Sequence, residues 1–268
     1  MTTPKWTADR IKALKGTGHF ACLTAYDYTT ARWVDDAGVP LVLVGDSLAS
    51  AMLGYATTLP VTMDQMLHHV SAVTRGVASA LVIADMPFMS YQVSTEQALT
   101  NAGRFIKEAG ADAVKLEGGA FRGDTVRALV QNGVPVLGHI GLTPQSLRQM
   151  GGYKVQGRKH EDAERLLADA QALQAAGAFA IVVECVPGDL GRTITEAVTV
   201  PTIGIGAGPG CDGQILVTHD LLGLSASRAP SFAKQYADLG NRMKQAFLAY
   251  KAEVEAGDFP AAEHTYLP

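Results

Sequence analysis

The sequence predicts a (β/α)8 barrel, and three observations predict it. Eight short apolar runs recur along the 268 residues, amphipathic segments with helix punctuation separate them, and run after run ends in a polar residue. Runs that are apolar on both faces, not strictly alternating, mark parallel strands covered by helices. Eight such units in roughly 250 residues match a closed barrel, which gathers the C-terminal end of every strand around one mouth. The competing architecture, an open doubly wound sheet, concentrates its polar residues at a single switch point.

Taken in order, a short N-terminal helix precedes the barrel. Strands are expected in HFACLTAY (19–26), PLVLVGDS (40–47), ALVIADMP (80–87), AVKLEGG (113–119), VPVLGHIG (134–141), AIVVECV (180–186), PTIGIGAG (201–208) and, less sharply, QILVTHD (214–220). Between them, Thr62 with Gln65 and Ser94 with Gln97 fit capping boxes, in which a hydroxyl satisfies an early backbone N–H and the amide reaches back. Gly38, Gly110, Gly133 and Gly177 each follow an apolar helical run and precede a strand, where a left-handed C-cap suits glycine. A C-terminal helix is expected from about Phe232 to Ala256. No linker, low-complexity tract or tight repeat interrupts the chain, so residues 1–268 read as one domain.

Bulk composition narrows the function classes. With 47% hydrophobic and 18% charged residues and a net charge of −4, the chain has a large core and no basic stripe to neutralise phosphate backbones, which argues against nucleic acid. The first fifteen residues lack the apolar stretch of a secretory signal, and no run approaches bilayer length. Cys22, Cys185 and Cys211 are widely spaced and form no C-x-x-C pair, which points to a reducing, cytoplasmic compartment and away from disulfides or a zinc knuckle.

The strand ends carry the chemistry: Tyr26 and Asp27, Asp46 and Ser47, Asp85, Lys115 and Glu117, His139, Glu184. Lys115 and Glu117 are two apart and share a face, so inside a barrel they must pair with each other, bind a ligand or bind a metal. Asp46, Asp85 and Glu117 come from three neighbouring strands. Their hard oxygens, with no cysteine pair nearby, suit Mg²⁺ better than Zn²⁺. His139 reads as a ligand or a hydrogen-bond donor, the latter favoured because Mg²⁺ prefers oxygen. Glu184, with Val182 and Val186 assigned to its own face, stands in an apolar setting that raises proton affinity and suits a general base; the alternative is a buried partner for Lys115.

Other motifs carry less. GIGAGPGCDG (204–213) has Pro209 where a dinucleotide fingerprint needs its third glycine and lies late in the chain, so it reads as a tight strand end approaching ligand or the barrel itself. His68 and His69, adjacent on a helix, point about 100° apart and read as structural. GGYKVQGR (151–158) reads as a cover over the mouth, a surface loop or a subunit contact.

The segments TAYDY, LVGDSL, TLPVT, ADMPFMSY, VKLEGG, GHIGLTPQS, GGYKVQGR, ECVP and GIGAG…DGQILV resemble those of the ketopantoate hydroxymethyltransferase family, in the same order over nearly the whole chain. The resemblance implies a barrel of the phosphoenolpyruvate/pyruvate type, Mg²⁺ dependence, a homo-oligomer (a decamer), and transfer of a one-carbon unit from 5,10-methylenetetrahydrofolate to 3-methyl-2-oxobutanoate in pantothenate synthesis. It implies Asp46 and Asp85 as metal ligands that also meet substrate, Glu117 completing or orienting the magnesium shell, Ser47, Lys115 and His139 at the 2-oxo acid, and Glu184 as proton acceptor. The stretch SYQVSTEQ differs slightly from the family's common form.

The residues supply a mechanism for that implication. A 2-oxo acid chelating Mg²⁺ has a more acidic adjacent C–H and a stabilised enolate; Glu184 removes the proton, and the carbanion attacks the folate's methylene carbon. Two rivals stand beside it: a Mg²⁺-dependent 2-oxo acid lyase or aldolase of the same superfamily, which needs no folate, and a catalytically silent ligand-binding barrel, which needs no base.

Overall fold

Eight parallel strands close into a barrel in chain order: β1 (Phe20–Thr24), β2 (Leu41–Val44), β3 (Leu81–Asp85), β4 (Ala113–Glu117), β5 (Val136–Gly141), β6 (Ala180–Glu184), β7 (Thr202–Ile205) and β8 (Gly213–Leu216), with β8 pairing back onto β1. The computed structural model describes residues 4–225 and 229–266, so residues 1–3, 226–228 and 267–268 of the expected domain lie outside the described residues. The chain divides into two compact units, Met1–Val217 and Thr218–Pro268.

Strand parity builds the site. Alternate side chains point to opposite faces of a strand, and the two sets segregate into two apolar clusters. Cys22, Leu41, Leu43, Leu81, Ile83, Ala113, Leu137, Ala180, Val182, Ile203 and Ile215 fill the inside of the barrel. Val42, Val44, Val82, Ala84, Val114, Leu116, Ile181 and Val183 belong to the outer layer, packed against the helices. Counting on by two from the inner set reaches Asp85, Lys115, Glu117, His139 and Glu184. The inner face is therefore apolar at its lower levels and polar at the C-terminal level of the same strands. Register aligns the polar level, pairing Asp85 with Lys115, Glu117 with His139 and Gly141 with Glu184.

The helices are α1 (Ala8–Lys12), α2 (Tyr28–Asp36), α3 (Leu48–Ala51), α4 (Met63–Gly76), α5 (Thr95–Lys107), α6 (Gly123–Gln131), α7 (Leu147–Met150), α8 (His160–Ala176) and α9 (Gly188–Ala197). Helix α1 buries Ile11 in the inner cluster, with Trp6 and Leu14 packed against the same group. Thr62 and Gln65 form the full reciprocal box at α4. At α5, Ser94 accepts from Gln97 N, but the return bond is missing and Gln97 Oε1 is buried without a partner. Gly38, Gly110, Gly133 and Gly177 all take positive φ, as the C-cap reading requires.

Two expectations are corrected. No helix joins β7 to β8 among the described residues; residues 206–212 make the return as a loop. Its glycines are explained by contact with α9: a Cβ at Gly208 would stand 2.8 Å from Gly188 Cα, and one at Gly210 would stand 2.7 Å from Arg192 Cβ. The motif at 204–213 thus fits barrel packing. In the second unit, α10 (Thr218–Leu222) is followed by α11 (Leu239–Ala256), which starts seven residues after the expected Phe232. Tyr236 N donates to Leu221 O at 2.8 Å, so the amide that would have closed a turn onto Phe232 is bound elsewhere. No helix among the described residues is long and apolar enough to cross a membrane.

Gly141 ends β5 at φ 94°, and an added Cβ would collide with the backbone oxygen of Glu184 on the neighbouring strand. Gly141→Ala is expected to lower unfolding free energy by about 2–3 kcal/mol through combined φ strain and displacement of β6. Urea denaturation checks this, and a midpoint equal to the parent's would contradict it.

Candidate active site

At the C-terminal end of the barrel, six charged side chains follow one another around the mouth. Asp46, in the turn after β2, donates its backbone N–H to Asp85 Oδ2 at 3.0 Å. Asp85 Oδ1 accepts from Lys115 Nζ at 2.7 Å, and the same ammonium lies 3.8 Å from Glu117 Oε1. His139 comes next, with Nδ1 3.5 Å from Glu117 Oε1 and Nε2 3.1 Å from Glu184 Oε2. Neither His139 contact has hydrogen-bond alignment, and Glu117 Oε1 is a buried oxygen with no hydrogen-bond partner. All but Glu184 are buried, and its side chain is 15% exposed. The arc thus joins Asp46, Asp85, Lys115, Glu117, His139 and Glu184 in strand order.

Four carboxylates here face two cationic groups, and burial makes the imbalance costly. Burial, then Asp85 and Glu117, against Lys115 and Gln145, push the Asp46 carboxyl up to about 8. Asp85 is raised by burial in spite of Lys115. Glu117 is also buried, yet His139 and Lys115 hold it below its ordinary value. For His139, burial and Lys115 oppose the charge, but Glu117 and Glu184 prevail and hold the imidazole up at about 9. Burial disfavours the Lys115 ammonium, and its three carboxylates overcome that and raise it. The raised proton affinity of Asp46 thus reflects the positive charge that the side chains do not supply.

Glu184 departs from its expected surroundings. Its partner is His139, not Lys115, and of the two valines assigned to its face only Val182 shares it: Val182 lies in the inner cluster with Glu184 next on the same side, and Val186 lies in the outer one. Cys185, at φ 49°, turns the chain between them, an uncommon conformation for a residue with a side chain. Asp27 departs too. It caps α2, accepting from Thr30 N at 2.9 Å and Thr30 Oγ1 at 2.7 Å, so turn chemistry accounts for it. Ser47 sits beside Asp46 with its hydroxyl 2.8 Å from Tyr26 OH. His69 bonds the Tyr26 carbonyl at 2.6 Å and takes no place in the arc. The 151–158 loop is tied to the strand end through Gln156 N and Cys185 O at 2.8 Å. On that loop, burial and the carboxylates of Glu184, Asp46 and Glu117 raise the Tyr153 phenol.

Two residues that strand-end reasoning does not reach complete the site. Gln145, 5% exposed, donates from Nε2 to Asp46 Oδ2 at 3.1 Å and from its backbone N to Glu117 Oε2 at 3.0 Å. Tyr91 donates its hydroxyl proton to Gln145 Oε1 at 2.7 Å and accepts from Glu117 N at 3.1 Å. Both lie in loops, Gln145 within the quoted GHIGLTPQS and Tyr91 within ADMPFMSY, so motif membership was the available signal.

The match to known proteins is as continuous as the arc. The family model for ketopantoate hydroxymethyltransferase covers residues 5–262. The chain belongs to the ketopantoate hydroxymethyltransferase family. Relatives named 3-methyl-2-oxobutanoate hydroxymethyltransferase include one from Moorella thermoacetica, 55% identical over 97% of this chain and 97% of its own, and one from Syntrophobacter fumaroxidans, 56% identical over 97% and 92%. Among solved structures, a 2,3-dimethylmalate lyase of the PEP mutase/isocitrate lyase superfamily has a TM-score of 0.60 at 18% identity, covering 98% of this chain and 92% of its own. A phosphoenolpyruvate phosphomutase from Streptomyces platensis subsp. rosaceus gives 0.60 at 17%, with the same coverage. These likenesses show that the family's barrel is shared beyond it; they carry the fold alone.

The charge balance has a measurable consequence in protein free of divalent cations. Asp46, pushed up to about 8, and His139, held up at about 9, both bind more protons when folded than unfolded between pH 6.5 and 8. Stability in that window must then fall as pH rises, on the order of a few kcal/mol, with His139 continuing the fall toward pH 9. Denaturant midpoints across this range check it, and stability that rises with pH would contradict the assignment.

Proposed function

We propose that the chain transfers a hydroxymethyl group to 3-methyl-2-oxobutanoate, with 5,10-methylenetetrahydrofolate as donor, forming 2-dehydropantoate at the start of pantothenate synthesis. The observation that carries this reading is the continuous arc from Asp46 to Glu184 in a member of this family. Carboxylates at one end suit a cation and a 2-oxo acid, and a carboxylate at the other suits proton removal.

The donor set fits magnesium. Asp46 and Asp85 are adjacent buried acids short of positive charge, and Glu117 Oε1 is an orphaned buried oxygen. Among the described residues no three Asp, Glu, His or Cys side chains form a ready-made metal cage. Magnesium commonly uses one or two carboxylates and takes its other ligands from substrate and water. Asp46 and Asp85 would hold it, with Glu117 orienting the shell. Bound there, magnesium supplies Lewis acidity toward a keto oxygen, which makes the neighbouring C–H more acidic.

The chain's own groups do the rest. Lys115 and His139 place positive charge beside the carboxylates and near the oxygens of a bound 2-oxo acid, where negative charge develops. Ser47, held by Tyr26, offers a hydroxyl at the same rim for the substrate carboxylate. Glu184 accepts the C3 proton, and the carbon left electron-rich forms its bond to the one-carbon unit of the folate. Water supplies the oxygen: both C–N bonds that hold the folate's methylene carbon break, and the two nitrogens take up the protons of water. The aldehyde carbon so freed is the one that C3 attacks, and the new alkoxide takes back the proton held by Glu184. His139 Nε2 stands 3.1 Å from Glu184 Oε2, beside the carboxylate that takes the proton. We read the assembly as a homo-oligomer and the compartment as cytoplasm, the latter supported by free Cys22, Cys185 and Cys211.

The proton step is testable without folate. Enzyme, Mg²⁺ and 3-methyl-2-oxobutanoate in deuterated water should exchange the C3 hydrogen, followed by NMR. Glu184→Gln keeps size but cannot accept the proton, so exchange should drop by at least ~10²-fold while substrate still binds. Exchange at the parent rate would remove Glu184 from the role of base. Asp85→Ala tests the other end of the arc: calorimetry should show Mg²⁺-dependent binding of the 2-oxo acid abolished, and unchanged affinity would take Asp85 out of the cation site.

A further inference from the structure

Gln145 stands where two of the proposed cation-site carboxylates can be held at once. It lies in the single turn Pro144–Ser146 that leads into α7. The first amides of such a turn have no partner within it, which leaves Gln145 N free for Glu117 Oε2 at 3.0 Å. Its side-chain amide spends both donors, on Asp46 Oδ2 at 3.1 Å and Met86 O at 2.9 Å. Its oxygen accepts from Tyr91 OH at 2.7 Å and Gln92 Nε2 at 3.0 Å. Turned about, the amide would set Oε1 against a carboxylate and a carbonyl, acceptor against acceptor, so only one orientation is possible.

The pattern is selective. Gln145 binds one oxygen of Asp46 and one oxygen of Glu117, and among the described residues the other oxygen of Glu117, Oε1, is buried with no hydrogen bond. A purely structural amide would gain nothing by leaving a buried carboxylate oxygen without a partner. We propose that Gln145 is a positioning residue for a divalent cation, setting the rotation and spacing of Asp46 and Glu117 so that their remaining oxygens face the site, with Tyr91 fixing the orientation of its amide. The proposal rests on the reading of this arc as a cation site. Gln145 neither touches the cation nor carries charge; it acts through the two acids.

Mn²⁺ is the probe, with free ion counted by electron paramagnetic resonance and no turnover required. Gln145→Met keeps length and volume and removes every side-chain hydrogen bond while leaving the backbone donor to Glu117. It should weaken Mn²⁺ binding by roughly 10–100-fold, the usual effect of losing a group that orients a ligand. Tyr91→Phe should weaken it several-fold, since Gln92 still holds the amide oxygen. The melting temperature of each cation-free protein is measured alongside. A structural role would shift that temperature and leave the affinity of folded protein unchanged, which overturns the proposal. If Gln145→Met does not fold, Tyr91→Phe decides, and affinity within about twofold of the parent overturns it. Should the parent itself bind no Mn²⁺, the cation reading fails and takes this proposal with it; if the parent binds and the variants bind equally, only the proposal falls.

Discussion

Uncompensated negative charge buried at one end of an otherwise apolar barrel is the constraint on which the rest of this structure depends. Four carboxylates share that end with one lysine and one histidine, and an unpaired buried carboxylate is expensive unless it neutralises or finds partners. The protein meets the cost with fixed dipoles. Asp46 N donates to Asp85, Gln145 N to Glu117 and the Gln145 amide to Asp46. Such donors cannot move far, because the strands carrying their partners stand on a layer of Leu, Ile, Val and Ala packed inside the barrel. Rigid packing below is what allows strained electrostatics above.

That division of labour explains what could be read from residues alone. The strands were readable because apolar side chains are needed on both faces, and the site because its residues continue the inner-face parity beyond the point where apolar residues stop. Asp85, Lys115, Glu117, His139 and Glu184 all fall on that count. Features set by distant contacts were not readable. Gln145 and Tyr91 are neutral loop residues whose partners lie far along the chain, up to 99 positions away. Val186 left the face assigned to it because Cys185 adopts a left-handed backbone, which no local pattern announces. The start of α11 moved because Tyr236 N found a tertiary acceptor, and the β7–β8 link lost its helix where α9 crowds the chain. In each case a long-range contact outweighed a sound local preference.

Fold and family contribute differently to the functional argument. The barrel is shared with a lyase and a phosphomutase at under one-fifth identity, so its presence does not by itself select a reaction. Relatives above one-half identity over nearly the full chain narrow the reaction to one name. What the coordinates add is the order of groups around the mouth, and that order is itself an argument.

Running from β2 to β6, the charges read Asp46 negative, Asp85 negative, Lys115 positive, Glu117 negative, His139 positive, Glu184 negative. Every adjacent pair but one is of opposite sign. The exception, Asp46 beside Asp85, is where the carboxyls take on raised proton affinity. A divalent cation relieves repulsion most at that junction, so the charge sequence alone favours a site bridging these two acids over one centred on Glu117, which already has cationic groups on both sides. The same sequence accounts for the position of the proposed base. His139 stands between Glu184 and Glu117, so an imidazole separates the proposed base from the nearest other carboxylate of the arc. Lys115 and His139 thus separate the carboxylates proposed to bind a cation from the one proposed to accept the proton.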